Sequence, residues 1–165
     1  MKLVWCVTIP LVLLFSHACN RKPPAITSRT QSRACLVTIA AGAGDDAEIA
    51  RFQADLRDGR NRARAAEQLG YRFISKARLS NDGGFYIVAE QAAVCLESIA
   101  PDDPAAWLLR GHVLHQMHRF GEAEAIARRL VTMREFVLDF GLLGDVLMEQ
   151  GRLSDAAEAG QPAVQ

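Results

Sequence analysis

The feature that most limits what this chain can fold into is a spacing. Trp107-x2-Arg110-Gly111-x2-Leu114 realigns with Phe140-x2-Leu143-Gly144-x2-Leu147, and Phe120-x2-Ala123 with Leu153-x2-Ala156, both at the same offset, from 111 to 144 and from 123 to 156. Upstream, Tyr86-x2-Ala89-x3-Ala93-x2-Leu96 returns one position later than that offset as Phe120-x2-Ala123-x3-Ala127-x2-Leu130. Self-similarity at this period marks a stack of small units, none of which can bury its apolar stripe alone. Such a chain folds by stacking neighbours and not around one closed core.

Within the period the apolar residues recur three and four apart, which is the spacing of one helix face. The runs are Ile49, Phe52, Leu56; Leu69, Phe73, Ala77; Val88, Ala92, Leu96, Ile99; Leu109, Val113, Met117; Ala123, Ala127, Leu130; and Phe136, Phe140, Leu143, Leu147. Turn residues separate them at Gly59, Asn81–Gly84, Ala100–Pro104, His118-Arg119 and Gly151. About seven helices follow. The step from Gly70 to Gly111 is longer by seven than the step from Ala89 to Ala123. That excess is close to two helical turns. The insertion therefore predicts a long helix over 62–79, running on through Lys76-Ala-Arg78, and a turn at Asn81–Gly84.

These residues resemble the tetratricopeptide repeat family, whose pattern is W-x2-L-G-x2-Y, then A-x3-F, then P. The middle copy, with Trp107, Gly111 and Ala123, is the clearest; Leu69-Gly70-x2-Phe73, Ala89 and Pro101 form the first, and Leu143-Gly144, Leu147, Gly151 and Ala156 the third. The chain departs from the pattern in having Arg110 for Leu, Leu114 and Leu147 for Tyr, and Glu135 where a closing Pro is expected. The resemblance implies an all-α fold of antiparallel helix-turn-helix repeats stacked in a right-handed superhelix. Its parts would be a capping helix over 45–61 and units over 62–101, 104–134 and 135–160, the last incomplete. Leu69, Gly70, Ala89, Trp107, Gly111, Phe120, Ala123, Phe140, Leu143, Gly144 and Ala156 are then the packing residues, with Leu153 also filling space between layers.

Carried over position by position, the resemblance also implies a concave groove. It would be lined by Arg64, Glu67, Tyr71 and Ile74 from the first unit, Leu108, His112, His115 and Gln116 from the second, and Asp145, Met148 and Glu149 from the third. A surface of this mixed character suits a peptide or helix of a protein partner. The expectation is a non-catalytic scaffold or adaptor without a cofactor. The alternatives are a docking module of a larger or truncated secreted enzyme, and a metal-binding protein using His112 and His115 with Asp145 and Glu149. No Ser-His-Asp, Cys-His, paired-acid or phosphate-loop pattern appears in the helical region. Arg57, Arg60, Arg62 and Arg64 are interleaved with Asp55, Asp58 and Glu67, which is helix-surface pairing and not a nucleic-acid footprint.

The N-terminus reads as an address. Met1-Lys2, the apolar run from Leu3 to Phe15 and the small residues before Cys19 form the tripartite layout of an export signal over 1–18. Leu14-Phe15-Ser16-His17-Ala18-Cys19 resembles a bacterial lipoprotein signal, which implies lipidation at Cys19 and a membrane-attached protein of the cell envelope or periplasm. Ser16-x-Ala18 also fits an ordinary cleavage site and a secreted product. Residues 19–44 read as a tether. Removing 1–18 leaves 18 basic and 19 acidic residues, which gives no field for a nucleic acid. Cys35 and Cys95 then remain. Pairing would tie the tether to the first unit, whereas the apolar neighbours Ala92, Val94 and Leu96 favour a buried free thiol. The last helix meets Gly160 and Pro162 early, so the third unit should expose apolar surface, open to self-association or to further repeats.

Overall fold

The computed structural model describes residues 45–160 and, apart from them, Cys35; the signal, Cys19, the rest of the tether and residues 161–165 lie outside the described residues. The described residues form seven α-helices and no strand: α1 (Asp45–Arg57), α2 (Arg62–Ser80), α3 (Gly84–Ile99), α4 (Pro104–Gln116), α5 (Phe120–Arg134), α6 (Val137–Glu149) and α7 (Leu153–Gly160). The inserted turns lie where the spacing predicts. Helix α2 runs for 19 residues, against 13 in each of α4 and α6. It ends at Asn81 in the left-handed region (φ 54°), and Asp82 Oδ1 then accepts the Gly84 amide at 2.8 Å to start α3. Helix α4 begins on Asp103, whose carboxylate accepts the Ala105 amide at 2.9 Å, with Pro104 in the first turn.

Helices pair as α2/α3, α4/α5 and α6/α7, and α1 lies against α2. Successive pairs meet through α3 on α4 and α5 on α6. In addition the backbones of α2 and α4, and of α4 and α6, come together, whereas those of α3, α5 and α7 stand apart from one another. Two layers result, one continuous and one splayed.

Glycine decides how close the continuous layer can be. A methyl built on Gly70 would lie 2.6 and 2.7 Å from the δ carbons of Leu109, and one on Gly111 would lie 2.5 Å from Leu142 Cδ2. Each glycine is thus the seat for a leucine of the next first-layer helix. The same position in α6, Gly144, meets only the Ala156 carbonyl at 3.8 Å.

Two apolar clusters fill the space between layers. Ile49, Phe73, Leu96, Leu109 and Val113 anchor the first, and Leu130, Leu142, Val146 and Leu147 the second. Burying each such side chain contributes roughly 1.5–3 kcal/mol. Trp107 packs against both clusters, donates its indole N–H to the Pro101 carbonyl at 3.0 Å, and lies under the Arg129 guanidinium. Arg110, standing where the repeat pattern has Leu, reaches Glu90 at 3.1 Å and Glu97 at 4.0 Å, and its Nη1 is buried without a protein partner. Glu97 is pushed up by burial, with Arg110 opposing.

Two expectations are corrected. Cys95 is buried as its neighbours suggest, but it is not a free thiol: it forms a disulfide with Cys35, with a Cα–Cα distance of 4.9 Å. Cys35 reaches it because it packs on the same cluster, beside Leu56, Phe73 and Val88. Leu153, expected between layers, is 68% exposed. In the eight-residue α7 only Ala156 is buried, and among the described residues no further layer covers Leu153. At Glu135, where the pattern has proline, the chain turns through the left-handed region (φ 49°). A proline ring holds φ negative and cannot enter that region.

Candidate functional site

The open side of the continuous layer is built by one residue from each of α2, α4 and α6 in register. Tyr71 meets His112 edge-on, with ring centroids 6.0 Å apart, and the Asp145 carboxylate acts on the same imidazole from α6. This row exists because Gly70 and Gly111 draw the three helices together beside it. Burial pushes the Tyr71 phenol up to about 12, with Glu67 adding to the shift and Arg134 opposing it. Burial also lowers His112 below its ordinary value; Asp145 opposes, while His115 and Arg78 push the same way. Both rings are therefore neutral at pH 7 and can give and take hydrogen bonds.

A second row lies about one turn further on, centred on Gln116. Its Oε1 accepts from Arg78 Nε at 3.2 Å and from the Tyr86 hydroxyl at 3.3 Å, and its Nε2 lies 3.2 Å from His115 Nδ1. Glu149 of α6 holds the repeat position of Gln116, as Asp145 holds that of His112. Met148 and Glu149 are exposed, and Asp145 is exposed with them.

Of the sequence-predicted groove residues, Tyr71, His112 and Asp145 stand in the first row with Glu67 at its edge, Gln116 stands in the second, and Met148 and Glu149 are exposed on α6. Ile74 and Leu108 do not line it. They are 6% and 5% exposed and belong to the two apolar clusters, because close helix approach encloses them. Arg64 is exposed beside α1, bordering a cleft with Arg51, Phe52 and Asp55. His115 is turned toward Phe120, 5.9 Å between centroids, and His118 packs on the same ring. Among the described residues no three His, Cys, Asp or Glu side chains converge on a point fit for a metal ion.

Arg78 and Tyr86 escaped the sequence reading. Arg78 falls in the insertion, where the repeat pattern has no position, and Tyr86 belongs to a second-layer helix. Arg134 with Asp139 was missed as well. Asp139 is fully buried and receives two guanidinium bonds from Arg134, at 2.7 and 2.8 Å, which pins the start of α6 beneath the row. An acid at the third residue of a helix, five after an arginine, was the available signal.

The arrangement offers a phenol, an imidazole, an amide and two exposed carboxylates along one surface. Compared with family models, curated proteins and solved structures, the chain finds no match in any of the three.

Proposed function

We propose that this chain is a non-catalytic adaptor of the tetratricopeptide-repeat type, which holds a peptide or helix of a partner protein against α2, α4 and α6. The observation that carries the reading is the difference between the layers. The backbones of α2, α4 and α6 approach in sequence while those of α3, α5 and α7 stand apart, which supports a stack curved toward the first layer, in the sense of a right-handed superhelix with the row of Tyr71, His112 and Asp145 in its hollow. Polar groups on a hollow surface with apolar Met148 beside them suit side chains and backbone of a polypeptide.

The disulfide supports export, because such bonds persist in oxidising compartments. With the signal-like N-terminus, the protein is read as an envelope or periplasmic lipoprotein held by a lipid on Cys19. Mass spectrometry of the mature N-terminus is expected to find the acyl modification on Cys19, and an unmodified residue ends that part of the reading. The open Gly144 position and exposed Leu153 favour a second contact, self-association through the last unit, which light scattering on the purified chain tests.

A photoreactive residue placed at Met148, 53% exposed on the first layer, or at Ile87, 58% exposed on the second, tests the groove. Irradiation of intact envelopes should yield a discrete polypeptide adduct at Met148 and none at Ile87. Equal adducts, or none at Met148, defeat the reading.

A further inference from the structure

Much of the charge on this molecule is matched. Glu48 pairs with Arg72, Asp46 with Lys76, Glu90 with Arg110 and Arg119, Glu124 with Arg128 and Arg152, and Arg134 with Asp139. In the two rows described above the charges are left open: among the described residues, Arg78, Asp145 and Glu149 have no opposite charge within 4.0 Å. Arg78 donates only to the neutral Gln116. Other charges among the described residues, including Arg57, Arg64, Arg129 and Glu158, form no ion pair either, but they stand off the rows. Within the rows the open charges are sorted by sign. The cation stands on α2, neutral His112 and Gln116 on α4, and both carboxylates on α6. Glu67 is also on α2 but lies a turn before Tyr71, outside both rows.

From this polarity we infer that the partner segment crosses the stack in an extended form, with an acidic residue over Arg78, uncharged residues over His112 and Gln116, and a basic residue over Asp145 and Glu149. The inference rests on the groove reading above and specifies its ligand. Packed helices lie about 8–10 Å apart, so α2 and α6 are separated by about 16–20 Å. An extended chain covers that distance in about five or six residues. The recognised feature is therefore an acid and a base five or six positions apart with a neutral interior. Arg78 presents a forked donor for a carboxylate, and two carboxylates on adjacent turns of α6 can share one ammonium or guanidinium. A peptide of a single charge meets repulsion at one wall whichever way it lies.

The test is selection from a displayed library of random twelve-residue peptides on the purified full chain and on the double variant Asp145→Lys/Glu149→Lys, both checked for helicity by circular dichroism. The original chain should enrich peptides with one acid and one base at the stated spacing, bound at least tenfold more tightly than versions with two acids or two bases. The double variant has two positive walls and should switch its preference to two acids at the same spacing. Enrichment without charge pairs, an unchanged preference in the variant, or no enrichment at all overturns the inference. If adducts still form at Met148 in those cases, the groove reading survives. If they do not, both fall.

Discussion

The two ends of the stack are closed by different chemistry. At the first end, α1 lays Ile49 and Phe52 on α2, a disulfide joins Cys35 to α3, and Leu109 fills the seat on Gly70. At the last end an eight-residue helix buries only Ala156, and the link back to the body is polar. There the Glu124 carboxylate accepts from Gln150 at 2.9 Å, from Arg128 at 2.8 Å and from Arg152 at 2.8 Å, holding the turn between α6 and α7 to α5. The same repeat motif thus yields a first end closed by a covalent staple and a last end whose apolar cluster is supplemented by polar bonds to its turn. What a motif residue contributes depends on which helix comes next, and the following experiments break that contrast at successively finer points.

Cutting the staple should have the largest effect. A cross-link between residues 60 apart restricts the unfolded chain by about 4 kcal/mol in the loop-closure description. Reduction, or Cys35→Ser, is expected to lower the unfolding free energy by about 2–4 kcal/mol. Hydrogen exchange should show α1 and α3 opening first while α5 to α7 keep their protection. Loss confined to the last unit would contradict the division drawn here.

Alanine at the repeated glycine should change sign along the stack. At Gly70 the new methyl meets both δ carbons of Leu109 at 2.6 and 2.7 Å, and Leu109 is fully buried, so its neighbours must shift with it. Overpacking of about 1–3 kcal/mol, set against a helix-propensity gain of about 1 kcal/mol, leaves a net loss of up to about 2 kcal/mol. At Gly144 the nearest atom is 3.8 Å away, an ordinary contact, so the propensity gain of about 0.5–1 kcal/mol stands alone. Denaturant titrations of the two variants decide the matter, and effects of the same sign would show that the seat on Gly70 is not tight.

Acid should loosen the last unit before the first. The hydrogen bond from Gln150, then those from Arg128 and Arg152, hold Glu124 down to about 2 from an ordinary value near 4.5. A carboxyl depressed in the folded state stabilises it fully above about 4.5 and loses that contribution as pH falls toward 2. Exchange protection in α7 should therefore drop between those values, and Glu124→Gln should flatten the dependence. An α7 equally protected throughout that range in the original chain would refute the assignment.

The helices and their register were open to reading from the sequence because the same small and large residues return at a nearly fixed offset, Ala89 as Ala123 and then as Ala156. That register also delivered Tyr71, His112 and Asp145 as one row. It failed where a residue's role depends on distance across the stack. Ile74 and Leu108 have the right helical phase for the groove, yet the helices come close enough to enclose them. Arg78 sits in inserted turns that no repeat position describes. The disulfide was obscured because Cys35 lies in a stretch of linker-like composition, far along the chain from its partner, and only the folded first unit brings the two together. Leu153 copies the position of Phe120, but the helix that should cover it does not follow among the described residues.

The finest contrast concerns two left-handed helix ends. Asn81 closes α2 at φ 54° and Glu135 closes α5 at φ 49°, so both place a side chain where Cβ crowds the following carbonyl. Asparagine tolerates this conformation through local hydrogen bonding of its short amide, and glutamate has no such relief. Glycine removes the crowding but also frees the unfolded chain, and the two effects nearly cancel where the original residue is already suited. Asn81→Gly should therefore leave stability within about 0.3 kcal/mol, whereas Glu135→Gly should add about 0.5 kcal/mol. In a domain of this size that corresponds to a rise of roughly 2 °C in Tm, within reach of calorimetry. A gain at Asn81 as large as that at Glu135 would mean that backbone crowding alone sets the stability of both turns. A gain at Glu135 only would show that the joint between the second and third units was left strained where the first unit's turn was not.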